Sequence, residues 1–467
     1  MGSTPGAPLD FAYRMLARSH CGPFRRWALP AVASLNRADL FAMLTNVSTL
    51  ATGPILAWTV ATRLTPETQG YYYSFGAVLA FLSVAEAGLS QIVIILVAQI
   101  PRSQEGSPQP AGTRLPDDIE QLRRITWFAL RRFAVWGGAG TVALGAIGGV
   151  IFSRAHSTVG WAVPWATLCL AGAANFVLLP LFAMLQGLGH VESYWFFRCV
   201  QQLAYGLVLI GALLVGLGLG APVAAAGCMF LWAVGFLAVR HGEVMRQVLR
   251  RPQARFKWTR SLSGLQGRVA GTQLAGFLGP QALVPLCFVL VGPVPAGRLG
   301  LTWSLSSFVQ ALGQNVVLTR FPALSRALGV GAAEEAPRSP LRLARVASVI
   351  TVVGGACVAL GVMALGGWRP QLASRVLPTW GVMALVSVAS VTVFVMAVSS
   401  WFRAQRRDPL ALFAMAGAVA GVVGAAVGGA AFGLRGLIAC FVGANVTINL
   451  AGLLIVLHRD QTWERRN

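Results

Sequence analysis

Residues 64–99 read LTPETQGYYYSFGAVLAFLSVAEAGLSQIVIILVAQ. The stretch opens on a polar turn, Thr65 to Gly70, with proline and glycine at the spacing of a short link between helices. The run that follows lacks the polar face of a soluble helix. It exceeds the ~20 apolar residues that cross a hydrocarbon core, so it is read as one membrane span over 71–99. Glu86 lies in its middle, with Gly88 two residues on. A charge at that depth costs roughly 2.5–3.5 kcal/mol on insertion scales, so such residues carry a function or hold a partner.

The rest of the chain extends this unit. Of its 467 residues, 56% are hydrophobic and 11% charged, against about 25% charged in an ordinary globular domain; the mean hydropathy is +0.66. This composition specifies an all-α polytopic membrane protein. About twelve spans are expected, near 40–60, 71–99, 127–152, 161–186, 194–216, 221–240, 264–290, 298–319, 343–366, 376–400, 409–431 and 436–457. They divide into two parallel six-helix bundles around a central cavity. Residues 1–39 form a basic amino-terminal arm, 40–240 the first bundle, 241–263 a basic linker, 264–457 the second bundle and 458–467 a tail. The arm contains arginines, prolines and an acid in place of a clean apolar core, so no cleavable signal peptide is expected.

The net charge of +22 comes from 37 Lys+Arg against 15 Asp+Glu, and Lys257 is the sole lysine. Nucleic-acid binding is the first reading of such a balance, but the placement of the cations argues against it. With a cytoplasmic amino terminus, the inside segments take 31 cations and the outside keeps Arg63, Arg154, Arg298, Arg369, Arg375 and Arg435. That is the asymmetry of the positive-inside rule, and it puts both termini in the cytoplasm. The basic charge then sets topology and attracts anionic lipid. The region 100–126 reads as a loop leading into a surface helix.

The two halves look alike. The turn 64–70 has a counterpart in Gly292-Pro-Val-Pro-Ala-Gly297, and the link 185–191 aligns loosely with 402–408. An even number of helices per half makes the repeats parallel, and the substrate site is expected between them.

Four helices carry polar residues at helical spacing. They are Thr45, Ser48, Thr49 and Thr52, with Asn46 beside them; Arg198, Gln201, Gln202 and Tyr205; Gln266 and Gln273; and Thr302, Ser306, Gln310 and Gln314. Such stripes face a neighbouring helix or a wet cavity rather than lipid. For any single residue, interhelical hydrogen bonding is an equal account, but the spread over both halves favours a shared polar cavity. Arg198 and Arg268 sit about one turn inside the inner boundary, where an arginine snorkels to the headgroups or grips a phosphate with its planar fork. Glu86 either binds a proton or sodium ion during transport or orders a cavity arginine. Tyr71, Tyr72 and Trp303 are read as interfacial anchors.

Several chemistries are missing. The only lysine is followed by Trp258, so there is no Walker A loop and no ATP hydrolysis is expected. No nucleophile elbow with a nearby His and acid occurs, nor an HExxH. The seven cysteines are scattered, without a CxxC, and read as small buried hydrophobes. His156, His190 and His241 fall at loops or helix ends and read as surface residues. No metal and no cofactor are expected; a proton or sodium gradient is the candidate energy source.

The stretch 64–99 resembles the first-to-second helix region of bacterial oligosaccharide and O-antigen flippases. These belong to the multidrug/oligosaccharidyl-lipid/polysaccharide exporter superfamily. The resemblance continues in order through AMLQGLGHVESY (183–194), LSGLQGRVAGTQLAGF (262–277) and VGPVPAGRLGLTWSLSSFVQAL (291–312). It spans most of 40–325 and thins over 340–457. It implies an inner-membrane carrier for undecaprenyl-diphosphate-linked sugars that alternates between inward- and outward-open forms of two six-helix bundles, without ATP. The family's helix-two Glu-x-Gly-Leu pattern matches Glu86, Gly88 and Leu89; its helix-seven Gln-x-Arg pattern matches Gln266 and Arg268. The chain departs from the family in having few cations deep in the membrane and no acid in most second-half helices.

The leading expectation is a flippase for a polyprenyl-diphosphate-linked oligosaccharide, serving export of a surface polysaccharide. Arg198 and Arg268 would meet the diphosphate, Gln201, Gln266, Gln273 and Gln310 would hydrate the sugar, and Glu86 would couple an ion. Membrane lipid, a polysaccharide polymerase and glycosyltransferases are the expected partners. An ion-driven small-molecule or drug antiporter of the same superfamily also uses Glu86. A membrane glycosyltransferase or polymerase needs acids on long loops, whereas the outside loops are short and hold only Glu67. A scaffold that recruits glycan enzymes through its basic loops is the fourth class.

Overall fold

A computed structural model of the chain describes residues 37–86, 88–100, 116–155, 157–254, 256, 262, 263, 266, 279, 281–329, 341–404 and 408–464. Among them every regular element is a helix. The first half holds α1 (Arg37–Arg63), α2 (Pro66–Ala80), α3 (Leu82–Glu86), α4 (Leu89–Ala98), α5 (Pro116–Ser153), α6 (Ala162–Gly187), α7 (Val191–Leu214), α8 (Gly220–Arg240) and the short α9 (Gly242–Val248). The second holds α10 (Gln281–Leu290), α11 (Pro293–Gly329), α12 (Leu341–Trp368), α13 (Pro370–Ala373), α14 (Thr379–Ala404) and α15 (Ala411–Glu464).

Eight of these helices are long and apolar enough to cross a bilayer, and α2 to α4 make a ninth span bent by 44°. α15 is two spans joined where Phe432 and Gly433 leave helical geometry. With α11, and with α10 as the described end of the span expected at 264–290, the helices account for the twelve expected spans.

Three expectations about boundaries need correction. The stretch 65–70 is not a turn but the start of α2. Thr65 is extended and its hydroxyl accepts the Thr68 N–H at 3.2 Å, while Pro66 occupies the first helical position, where no N–H is missed. Its counterpart behaves likewise: Gly292, at φ 118, turns the chain and Pro293 begins α11. Second, the span expected as one helix over 71–99 is broken next to Glu86, where Gly88 adopts φ 70, a left-handed conformation that only glycine takes freely. Third, residues 116–126 do not form a separate surface helix but continue into the third span. The resulting α5 has 38 residues, roughly 57 Å of helix against a ~30 Å hydrocarbon core.

The overhanging end of α5 clamps the first part of the linker. Arg123 Nε donates to the Gln247 carbonyl at 2.7 Å and Trp127 Nε1 to that of Arg250 at 2.9 Å. The Gln253 N–H donates to Glu120 Oε1 at 2.6 Å, and Arg124 pairs with the same carboxylate at 3.1 Å.

The cores reveal how the halves are joined. At the end carrying the 64–65 and 291–292 turns (the turn end), two clusters draw on both halves: a small one that joins Ala57 and Ala61 to Leu301, Val382 and Val386, and the larger joint core. Tyr71, Phe75, Phe152 and Trp165 pack with Leu283, Cys287, Phe288, Leu377, Leu437 and Phe441. At the opposite, arginine-rich end (the basic end), two clusters stand apart. Phe182, Phe197, Phe236 and Val248 belong to the first half alone; Val317, Val393, Phe402 and Val456 belong to the second alone.

The interfacial role expected of Tyr71, Tyr72 and Trp303 is also corrected. Tyr71 is fully buried in the joint core, with its hydroxyl 2.6 Å from Ser157 Oγ. Tyr72 packs edge-on to Tyr73 within the bundle, and Trp303 packs on Phe441 at 5.9 Å. All three rings fill helix contacts because α2 and α11 lie inside the bundle rather than at its rim. Of the six described cysteines, Cys169, Cys199 and Cys287 are buried as expected, Cys228 and Cys440 partly so, and Cys357 is exposed on the same outward side of α12 as Val353 and Leu360.

Candidate functional site: the seam and the broken helix

The seam between the halves is built on glycines. α2 and α11 cross so closely that a Cβ at Gly70 would fall on the Pro293 carbonyl, and one at Gly297 would lie 2.8 Å from the Gly70 nitrogen. A Cβ at Gly300 would fall into the Tyr73 ring. The two proline-glycine segments related by the repeat are therefore pressed against each other, backbone on backbone. Small residues allow this because lipid supplies no hydrophobic drive between helices and close packing must serve instead.

Gln69, 1% exposed, staples the crossing. Its Nε2 donates to the Gly297 carbonyl at 2.9 Å and to that of Arg375 at 3.1 Å. Within the second half, Thr302 braces α11 against the chain before α14, since its hydroxyl accepts the Leu377 N–H at 3.0 Å and donates to the Arg298 carbonyl at 2.8 Å. Around these ties Gln69 Oε1, Arg298 Nε and Arg375 Nη1 are buried without a protein partner. Burial lowers the Arg375 guanidinium from its ordinary value. The closed seam is thus held by few hydrogen bonds and leaves polar atoms unsatisfied, a penalty of roughly 1–3 kcal/mol each where no water reaches them.

Deeper in the first half, the break beside Glu86 opens a small pocket of about 90 Å³. It is lined by Glu86, Arg132, Gln266, Trp136, Phe133, Val84 and Leu89. Glu86 ends α3 and is half-buried, as are Arg132 and Gln266. The Arg132 guanidinium also lies 5.8 Å from the Phe128 ring centroid. A carboxylate, a guanidinium and an amide thus meet at a helix break, where irregular backbone within a membrane is tolerated because it lines a cavity. The pocket holds about three waters at the ~30 Å³ each occupies in the liquid. It suits a proton or a small cation, not an organic substrate.

The remaining expected site residues are distributed more locally. Arg198 donates to Gln201 Oε1 at 3.0 Å, so the two form one unit on α7, where Gln201 is buried. On α1, Thr45, Ser48 and Thr52 return their hydroxyls to carbonyls of their own helix, and Asn46 is exposed. On α11, Thr302 bonds within its own half to Arg298 and Leu377, Ser306 Oγ is buried without a partner, and Gln310 and Gln314 are half-buried. Arg268 and Gln273, like Cys21 and His156, lie outside the described residues. Gln69, Arg132 and Arg375 were not singled out in the sequence. Gln69 borders the proline-glycine repeat and could have been found there; Arg132 counted only as one of many inside arginines.

At the basic end, His241 is not the surface residue expected. It is 8% exposed, because the α8–α9 corner folds it against α7. Its Nε2 lies 3.2 Å from Ser193 Oγ, and the His190 ring stands 5.2 Å away. Burial, then His190 and Arg240, lower its pKa below the ordinary 6.5. The unfolded chain therefore takes up this proton first as pH falls. Stability from neutral His241 is fully present above 6.5 and declines as pH drops toward the lowered folded value. The thermal midpoint of purified protein is expected to fall across that window, and His241→Gln is expected to flatten the decline. Identical profiles for the two proteins would remove His241 as the cause.

The fold can be compared with solved structures. An inward-facing multidrug resistance MATE family transporter of the MOP superfamily superposes with a TM-score of 0.60 at 16% identity, over 91% of this chain and 99% of that one. The lipid II flippase MurJ in an inward closed conformation gives 0.62 at 10% identity, over 90% and 87% of the two chains. A eukaryotic MATE transporter gives 0.55 at 18% identity, over 92% and 96%. The chain has the fold of these proteins along nearly its whole length. No family model matches it, and no curated protein matches it in sequence.

Proposed function

We propose that the chain is an alternating-access transporter that moves a polyprenyl-diphosphate-linked oligosaccharide across the bacterial inner membrane, without ATP hydrolysis, for surface polysaccharide export. Support comes above all from the cores: among the described residues, the halves share two clusters at the turn end and keep separate cores at the basic end. Two bodies joined at one end and independent at the other can rock about the bilayer midplane. The bundles 40–240 and 264–457 are the rocking bodies.

An anionic, hydroxyl-rich cargo fits the polar groups on offer. The polar side chains of α7 and α11 include the buried Gln201 and the half-buried Arg198, Gln202, Gln310 and Gln314. Among the described residues, Glu86 is the only carboxylate deep within a span. A diphosphate needs cations and N–H donors, and a sugar needs amides and hydroxyls. Arg198 meets the diphosphate from the basic end, with Arg268 and Gln273 as further contacts.

Glu86 in its small pocket also favours a second reading, an ion-driven antiporter of small molecules. The two separate in vesicles containing the purified protein. A fluorescent polyprenyl-diphosphate oligosaccharide is expected to become inaccessible to an external quencher, while a free cationic dye is not accumulated under an imposed pH gradient. The reverse pattern would replace the flippase with the antiporter. Arg198→Gln removes a charge-assisted contact of about 1.5–3 kcal/mol, so flipping is expected to fall about tenfold or more at an unchanged protein level. Full flipping by that variant would rule out its contact with the diphosphate.

A further inference from the structure

A second cavity lies apart from the seam and from Glu86. It is a groove of about 960 Å³ between the basic-end termini of α1, α7 and α8. Its walls are aromatic: Phe41 packs on Phe196 at 5.4 Å, and Trp232 and Phe236 complete them. Along its open side stand Leu231 and Val239, 71% and 89% exposed. On a membrane helix such side chains face lipid. Its rim is polar and mostly cationic, with Arg37, Arg240 and His190 around the single acid Glu192. Arg37 begins α1, Glu192 lies in the first turn of α7 and Arg240 ends α8, so the rim sits where the spans end, at headgroup depth.

We propose that this groove binds a membrane lipid with an anionic, phosphate-bearing headgroup, the phosphate lying between Arg240 and Arg37 and one chain running from there over the aromatic walls toward Leu231, nearer the bilayer centre. Basic pockets between transmembrane helices on this kind of face recognise such headgroups. Size favours a lipid over free phosphate: the groove has the volume of roughly thirty waters, far more than one phosphate fills, and its walls would stay bare. Charge disfavours the amino-terminal arm as occupant, since that segment carries Arg14, Arg18, Arg25 and Arg26 against Asp10. Arg37 now faces Glu192 at 3.8 Å, with side chains 81% and 52% exposed. An exposed pair of that kind is worth little, so a phosphate can compete for the arginine. The site does not depend on what the protein transports.

Trp232 supplies the readout. The protein is placed in nanodiscs with a minor fraction of either brominated phosphatidylglycerol or brominated phosphatidylcholine. Because the chain has 14 tryptophans, the Trp232 signal is taken as the difference between wild type and Trp232→Phe. Brominated phosphatidylglycerol is expected to quench that signal more strongly, with a preference of about fivefold for each arginine engaged. Arg240→Gln alone should reduce the preference, and Arg37→Gln with Arg240→Gln should abolish it. Both positions sit on exposed helix ends, so folding is checked by unchanged thermal midpoints. Soluble pyrophosphate should leave the quenching intact. Equal quenching by the two lipids, a preference unaffected by Arg240→Gln, or displacement by pyrophosphate would each overturn the assignment.

Discussion

Gly70→Ala is expected to abolish transport and to leave the two halves parted at the turn end. The added methyl falls on the Pro293 backbone carbonyl, which cannot rotate aside as a side chain would. The facing Gly297, already held by Gln69, cannot yield either. Overpacking of this kind costs about 1–3 kcal/mol, which shifts a two-state equilibrium about 5- to 150-fold. Cys287 reports the change, because its thiol is fully buried in the joint core. In a variant retaining Cys287 as sole cysteine, labelling by an impermeant maleimide is expected to rise on introducing Gly70→Ala, while the helical content persists. Unchanged labelling together with normal transport would mean that α2 and α11 need not meet so closely.

The second large effect is expected at Glu86. Glu86→Gln keeps the shape of the side chain in the pocket it shares with Arg132, but takes away the charge and the titratable oxygen. If the acid carries a proton or sodium ion, transport should lose its dependence on the gradient and drop about tenfold or more, the equivalent of at least 1.4 kcal/mol. The companion Arg132→Gln separates the roles. A Glu86→Gln protein with an intact gradient dependence, beside an Arg132→Gln protein that transports poorly, would make Glu86 a partner that orients the arginine and nothing more.

The spans were legible because a bilayer leaves a chain little choice: long apolar runs must form helices that satisfy their own backbone. The same logic hid the break at Glu86. Residues 82–98 are mostly apolar, and a single glycine is tolerated inside such a run at a cost of about 1 kcal/mol, so only the φ of Gly88 reveals the corner. The proline-glycine repeat was readable as a pair, but contact between its two members is a tertiary fact that no local pattern encodes. Glu86 stood out as a lone acid; Arg132, which shares its pocket, did not, because the positive-inside rule already accounts for arginines near that end. His241 misled in the other direction. Its position at a helix end suggested exposure, whereas the short α9 folds the corner inward and buries the ring.

The joint core bears on how the protein is made. Residues 37–254, including the linker stretch clamped on α5, precede every second-half residue of that core in synthesis. Until α10 and α15 are inserted, Tyr71, Phe75, Phe152 and Trp165 have one another and lipid tails, rather than Phe288 and Phe441, as neighbours. Lipid solvates such rings about as well as protein does, so an early intermediate faces no aqueous exposure and little drive to collapse. Docking of the later helices must then be selected by fit, through glycine surfaces and ring geometry. Fidelity in biogenesis rests on shape, the same property that lets the finished halves part again.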